Sequence, residues 1–268
     1  MTTLVVVFSM PEFQTNCTVI QVEHLGADIF RLTLEAPDIA EVVRPAQFVM
    51  VSCGTDQDPL LRRPFSVHGK QAGGCIQLLF KIVGRGTALL AQTRVGQDLS
   101  LVGPLGRAFR PPPPTGEVCL VGGGLGIAPL FFLAQWLLEQ GTTPLVLLGA
   151  GSAVELSQLR QDFHELGCSV HLSTDDGSLG HHGLVTELLP ALSDKVGKLY
   201  ACGPVPMMAA VARFCGDRIA CEVSLETHMA CGLGACLGCA IPVPGRSDAY
   251  WHVCKHGPVF DAAEVVWP

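Results

Sequence analysis

A mixed architecture follows from three features of the sequence. It comprises an antiparallel β-barrel over residues 12–113, a doubly wound α/β domain over 114–215 and a small C-terminal domain over 216–268. Short β-rich segments broken by Gly and Pro run from 16 to 103. Four prolines at 111–114 then interrupt the chain, and such a run is stiff, extended and unable to continue helix or sheet. From Glu117 onward strand and helix patterns alternate, which builds a parallel sheet with helices on both faces.

Within the first domain, segments 18–22, 30–34, 48–51, 65–67 and 76–82 are β-rich and partly alternating. The one helix signal there is 87–92, opening after Gly84-Arg85-Gly86 with Thr87 as its N-cap. In the second domain 118–121 is a short apolar run, followed by a glycine cluster and a helix from about 128 to 140. Segments 145–148, 155–166, 169–173, 186–192, 198–202 and 205–214 carry the alternation on. The piece from 216 is loop-rich and too short to fold without a staple.

That staple is legible in Cys231, Cys236, Cys239 and Cys254, spaced C-x4-C-x2-C-x14-C, the plant-type [2Fe–2S] spacing. Small residues fill the loop between the first three cysteines, leaving backbone N–H groups free to turn toward sulfur. Leu233, Leu237 and Met229 supply apolar shielding. A structural zinc site is the rival reading, but it usually pairs two C-x2-C knuckles and only one is present. Cys17, Cys53, Cys75, Cys119, Cys168 and Cys215 sit singly and read as buried thiols, with Cys221 a neighbour outside the ligand spacing.

Two phosphate-competent regions precede the cysteines. Gly122, Gly124 and Gly126 lie in Gly122-Gly123-Gly124-Leu125-Gly126-Ile127-Ala128-Pro129, between a strand and a helix. There the free N–H groups and the helix dipole suit a pyrophosphate. The pattern is G-x-G-x-x-P, not the G-x-G-x-x-G of ordinary dehydrogenases. In the barrel, Arg63-Pro64-Phe65-Ser66 combines an Arg fork for phosphate, a hydroxyl and an aromatic for a ring. Gly84-Arg85-Gly86-Thr87 adds a second anion pocket, and together they favour a flavin. Cys202-Gly203-Pro204 ends a strand, where open α/β sheets place ligands. Cys202 is either a nicotinamide contact or a small residue at a strand end. Asp175 and Asp176 read as an Asp-rich turn, and His181-His182 as an exposed loop.

With 268 residues, the chain can hold two domains and an appendage. Hydrophobic residues make up 49% and charged residues 15%, so the surface is either well packed or partly hidden in a complex. The net charge of −7 argues against nucleic acid. The start, Met1 to Phe8, is apolar but the first Lys or Arg is Arg31, so no secretory signal is expected. The longest apolar helix candidate, 127–138, falls short of a membrane span. Twelve cysteines without an export signal point to a reducing, cytoplasmic setting.

Taken together, the motifs resemble the ferredoxin reductase superfamily. Arg63-Pro64-Phe65-Ser66 is similar to its flavin signature, and Gly122 to Pro129 with Cys202-Gly203-Pro204 to its nicotinamide motifs. The stretch from Met229 to Cys239, with Cys254-Lys255-His256-Gly257-Pro258-Val259-Phe260, resembles the electron-transfer subunits of NAD-dependent dihydroorotate dehydrogenase B. The resemblance implies FAD on Arg63, Pro64, Phe65 and Ser66, on Phe80-Lys81-Ile82 and on Gly86 and Thr87. It implies NAD(H) on the nucleotide motifs and a [2Fe–2S] cluster on the four cysteines. It further implies an FMN-containing catalytic partner in a heterotetramer of two chains each, serving pyrimidine biosynthesis. Three alternatives stand beside it: a reductase subunit of the same superfamily serving ferredoxin, a sulfide-linked carrier or a hydrogenase; a self-contained flavin reductase acting on soluble acceptors; and a non-enzymatic redox-sensing or scaffold subunit. No general acid or base is needed within the chain, so no catalytic side chain is assigned. Pro45-Ala46-Gln47-Phe48 departs from the family's Pro-Gly-Gln-Phe turn, at little expected cost. No Lys or Arg lies between Gly149 and Gln158, which favours NADH over NADPH.

Overall fold

The computed structural model describes residues 12–54, 58–192 and 194–268; the apolar start that bears on a secretory signal lies outside them. Six antiparallel strands close a barrel: β1 (Phe13–Gly26), β2 (Ile29–Glu35), β3 (Phe48–Val51), β4 (Arg63–Gln71), β5 (Cys75–Lys81) and β6 (Asp98–Leu105). Their spatial order is β1-β2-β5-β4-β3-β6. Closure leaves no free edge. The inward faces bury Val19, Leu32, Leu34, Val67, Leu78 and Leu101 completely. The sequence expectation contained five of these strands; β6, interrupted by Gly103-Pro104, completes the ring. It also lacked α1 (Pro37–Val42), which at six residues is too short to show periodicity.

The barrel's second helix, α2 (Arg85–Leu90), begins earlier than expected, with Gly84 and not Thr87 at its N-cap. Thr87 sits at the third helical position, where its Oγ1 accepts from the N–H groups of Val83 (2.9 Å) and Gly84 (3.2 Å). It still closes the helix start, but from inside it. Ala46 adopts φ +75° and is fully buried. The left-handed backbone costs an alanine about 1–2 kcal/mol. Its buried methyl returns about 0.8 kcal/mol, so the missing glycine is inexpensive.

The second sheet has seven strands, in the order β10-β9-β8-β7-β11-β12-β15. These are β7 (Glu117–Gly123), β8 (Leu145–Ala150), β9 (Ser169–Thr174), β10 (His181–His182), β11 (Val196–Cys202), β12 (Ala220–Ser224) and β15 (Val259–Asp261). Pairing is parallel from β10 to β12, and β15 closes the edge antiparallel. Helices α3 (Ile127–Glu139), α4 (Ala153–Glu165) and α5 (Val205–Cys215) pack on it. The expected element at 186–192 is a 3-10 helix, Val185–Ala191, with Pro190 inside it. Proline cannot donate the backbone bond an α-helix would need there.

Residues 220–224 and 259–261, expected within the C-terminal segment from 216, are strands of the seven-stranded sheet. The cysteine segment is an excursion between β12 and β15. It contains the hairpin β13 (Ala240–Val243) and β14 (Arg246–His252) and the one-turn helix α6 (Val253–His256). It is clamped at its exit by Leu225 N–H donating to Pro258 O (2.9 Å) and Arg107 N–H donating to Gly257 O (2.6 Å).

Barrel and sheet are joined by buried polar contacts. Arg31 of β2 donates to Asp162 of α4 (2.6 Å) and forks onto Glu23 (2.9 Å for each nitrogen). His68 of β4 is fully buried, stacks on Phe131 of α3 with ring centroids 4.7 Å apart, and has Nδ1 3.0 Å from Ala128 O. Of the single thiols, five are buried as expected, whereas Cys75 is half-buried. Among the described residues no helix is long and apolar enough to cross a membrane.

Candidate functional site

The sheet reverses strand order between β7 and β11, and ligands of open α/β sheets sit at the carboxyl ends beside such a point. Two cavities flank it. The first, of about 410 Å³, lies between the barrel and the sheet. Pro64, Phe65 and Ser66 of β4 and Phe80 and Lys81 of β5 line its barrel side, with Thr87 of α2. Leu125 and Ala128 of the glycine turn close another side, and Leu225, Glu226, Thr227 and Met229 follow from β12. Its walls are mainly apolar, with hydroxyls and charges at a few points, which suits a flat ring system. Thr227 Oγ1 is buried with no hydrogen-bond partner. A buried orphan hydroxyl is costly, so its presence on the wall fits a cavity built to be filled by a polar ring edge. Glu226 is exposed to solvent through the open cavity it lines, yet the protein packed around that cavity desolvates its carboxyl and raises it above the usual range.

Arg63 stands at the rim. Its side chain would lie 3.2 Å from a Cβ at Gly86, so the glycine admits the guanidinium against the start of α2. Arg62 does something different: it donates to Ser100 O (2.5 Å) and Ser100 Oγ (3.0 Å), tying its loop to β6. Lys81 also bridges to Glu155 of α4 at 3.6 Å. Ile82 is not among the cavity residues; its N–H donates to Asp28 O.

A second cavity, of about 440 Å³, opens at the ends of β7, β8 and β9. Gly123, Gly124, Gly149 and Gly151 form its floor, with Asp175, Pro204, Met207 and Arg213 around them. The three motif glycines do different work. Gly124 has φ +55° and nothing within 4 Å of a notional Cβ, so its face is open for a ligand. At Gly126 a Cβ would lie 2.3 Å from the Cys202 backbone. At Gly122 it would lie 2.9 Å from Ile127. These two permit close packing of the turn. Cys202 is 0% exposed and lines neither cavity; burial raises its thiol well above the ordinary value, and it hydrogen-bonds Ser224. Gly203 (φ +156°) and Pro204 shape the loop against Gly123. Asp175 belongs to this cavity, whereas Asp176 serves the turn by accepting from Ser178 N–H (2.9 Å).

The four cysteines gather beside the first cavity as two pairs. Cys231 and Cys236 hydrogen-bond through their side chains, and the Sγ atoms of Cys239 and Cys254 are 3.3 Å apart. Among the described residues no group of three or more His, Cys, Asp or Glu is gathered around one ion. A binuclear cluster asks instead for two thiolates per iron. Backbone N–H groups already face sulfur: Leu233 and Cys236 toward Cys231 (3.4 Å each), Gly234 toward Cys254 (3.1 Å). Burial pushes the Cys231 thiol up, but these donors outweigh it and hold it at about 6. An all-thiol donor set with inward N–H groups fits a [2Fe–2S] cluster. Gly232 (φ +73°) lets the loop press on Met50, which a Cβ would meet at 2.6 Å. Cys221 lies apart, hydrogen-bonded to Cys215 in the core.

The chain is 40% identical over 257 residues to the electron transfer subunit of dihydroorotate dehydrogenase B (NAD(+)) from Desulforamulus reducens, covering 94% of this chain and 98% of the relative. The Geobacillus kaustophilus subunit is 41% identical over 240 residues, covering 88% and 92%.

The chain belongs to this family of electron transfer subunits.

Residues 16–109 match the oxidoreductase FAD-binding domain, which is the barrel. Residues 226–266 match the iron–sulfur cluster binding domain of dihydroorotate dehydrogenase B, and that match begins after β12. An NADH-dependent reduced ferredoxin–NADP oxidoreductase superposes with a TM-score of 0.83 at 29% identity, covering 94% of this chain and 90% of that one. A ferredoxin reductase of carbazole 1,9a-dioxygenase (TM-score 0.66, 22% identity, 80% and 70% covered) shares the fold. Glu226 and Thr227 were not among the sequence candidates. Their signal was positional: they directly follow a strand end on the ligand edge of the sheet.

Proposed function

We infer that the chain carries electrons between an FMN-containing dihydroorotate dehydrogenase catalytic subunit and NAD, in pyrimidine biosynthesis. One observation carries the reading: the flavin-sized cavity ends on the cysteine loop, with Met229 on its wall two residues before Cys231. When bound, FAD exchanges a hydride with NAD(H) and single electrons with the [2Fe–2S] cluster, which supplies the conversion the relay needs.

The chain's own work is positioning. Phe65 and Phe80 wall the ring site, Ser66 and Thr227 offer hydroxyls to ring polar atoms, and Pro64 stiffens the strand entering it. Arg63, beside Gly86 and Thr87, would take the FAD pyrophosphate at the rim, while Lys81 continues the wall and Ile82 holds that strand end through its bond to Asp28. Gly124 would offer its open face to the NAD pyrophosphate, Gly122 and Gly126 let the turn pack closely beneath it, and Gly203 and Pro204 hold the opposing loop. Cys202 acts from behind, through its hydrogen bond to Ser224 on the flavin wall. Cys231, Cys236, Cys239 and Cys254 would together hold the [2Fe–2S] cluster. The barrel through residue 113 is the FAD unit, the sheet the NAD unit, and the excursion between β12 and β15 the cluster unit. No side chain is required as general acid or base. The working particle is a heterotetramer of two chains of each kind in the cytoplasm.

The deciding experiment is anaerobic NADH-dependent orotate reduction, with and without the FMN-containing subunit from the same source. Activity only with both chains is the expected result. Flavin bleaching by NADH without orotate reduction in the mixture would move the acceptor elsewhere.

A further inference from the structure

The chain carries 24 acidic and 17 basic residues, yet one groove beside the cysteine loop runs against that balance. It measures about 780 Å³ and lies between the barrel end and the C-terminal excursion. Arg44, Arg107, Arg110 and Lys255 line it, with His256 on the wall and Glu12 as the acidic residue among its lining. Arg110 is committed: it pairs with buried Glu222, and its second nitrogen is 3.7 Å from Asp261. Arg44, Arg107 and Lys255 have exposed side chains and no anionic partner among the described residues. Arg107 is anchored through its backbone, bonded to Gly257 O at 2.6 Å, so its exposed side chain springs from a fixed point on the groove wall. The groove floor includes Gly232, Leu233 and Cys254, so it ends on the cluster loop. Next to it Leu233 and Leu237 are 48% and 57% exposed, and Cys236 is exposed as well.

An apolar patch over the thiols, edged by uncompensated cations, has the composition of an interface with a charged rim. We propose that this groove receives an acidic segment of the FMN-containing catalytic subunit, docking it with the exposed Leu233–Leu237 edge of the cluster loop against the partner. The inference rests on the function proposed above and deepens it by naming the surface and the charge of its occupant. The cations steer and orient the encounter, and the leucines exclude water from the electron path. A rival role for the same charges is compensation of the cluster's own negative charge; that role changes the cluster's potential and leaves association untouched.

The test uses the cofactor-loaded chain and the FMN-containing subunit from the same source. Affinity is measured at low and high salt for wild type, Arg44→Glu and Arg107→Glu, with flavin bleaching by NADH as the control. Each reversal is expected to weaken association roughly tenfold at low salt, to flatten its salt dependence, and to leave bleaching unchanged. Reversals that bind like wild type overturn the proposal while orotate reduction by the mixture keeps the relay intact. A reversal that moves the cluster potential but not the affinity assigns the charges to compensation and also overturns it. Should the variants fold poorly, the wild-type pair decides: salt-independent affinity contradicts a charge-steered groove. If the wild-type chains neither associate nor reduce orotate, the underlying relay reading falls, and the groove's occupant with it.

Discussion

Thr227 shows what a single residue can reveal about an occupant. Its buried Oγ1 has no partner, so Thr227→Val should raise the melting point of the flavin-free protein. The same change should weaken FAD binding by about 1 kcal/mol, the net worth of one hydrogen bond. Opposite signs in the two states are what a purely structural threonine would not give. Among the thiols, Cys236 is exposed and pairs with Cys231. Cys236→Ser should abolish the cluster's visible absorption while flavin content, set by the barrel, stays at wild-type level. His68 reports on acid stability. Burial lowers its pKa from 6.5 to about 3, outweighing the Ala128 carbonyl that favours the charged ring. The unfolded state therefore takes up the proton first as pH falls below 6.5, and stability is lost from there down toward pH 3. Between about pH 6.5 and 5 this one group removes on the order of 2 kcal/mol. Urea midpoints of His68→Phe should show a correspondingly shallower pH dependence, whatever its absolute stability.

At the scale of elements, the glycine turn between β7 and α3 separates packing from binding. Gly126→Ala places a methyl 2.3 Å from the Cys202 backbone, which cannot yield as a side chain would. Loss of NADH-driven flavin bleaching is expected, with poor folding in the worst case. Gly124→Ala meets nothing within 4 Å and faces only the left-handed strain of φ +55°, about 1–2 kcal/mol. It should fold, lose a few degrees of thermal stability, and bind NADH more weakly because the methyl occupies the ligand's face. Elements with strong periodicity were legible in the sequence: α3, α5 and strands β2, β3, β5 and β11 lie within a few residues of their expected places. Short or interrupted ones were not, because α1 has too few residues for a period and β6 carries Gly103-Pro104. The cluster cysteines were legible because ligand spacing is a local property. The membership of β12 and β15 in the nucleotide sheet was not, because pairing across an excursion of more than thirty residues leaves no mark in local pattern. Glu226 and Thr227 were hidden for the same reason, since they become wall residues only once β12 is placed.

The whole molecule depends on the angle between barrel and sheet, since the flavin cavity is shared between them. Arg31 holds that angle, with side-chain exposure of 10% facing Asp162 at 8%. Arg31→Met leaves Asp162 buried without its cation, and breaking such a pair costs about 3–5 kcal/mol. The sign of the pH dependence follows from the carboxyl. Burial already raises the Asp162 pKa, and Arg31 is the largest influence pulling it back. Without Arg31 the folded-state value climbs further above the unfolded one, so the variant's stability falls as pH rises through that window. The deficit against wild type should therefore be largest near neutral pH and shrink in mild acid, as Asp162 takes a proton. Arg31→Met combined with Asp162→Leu should recover much of the loss, because two matched apolar groups replace a broken pair. Both variants keep every residue assigned to FAD, NAD(H) and the cluster. Should flavin bleaching by NADH slow in the single variant and recover in the double, the coupling runs through domain orientation. Slow bleaching in a double variant of restored stability would instead assign the charge itself a role at the flavin cavity.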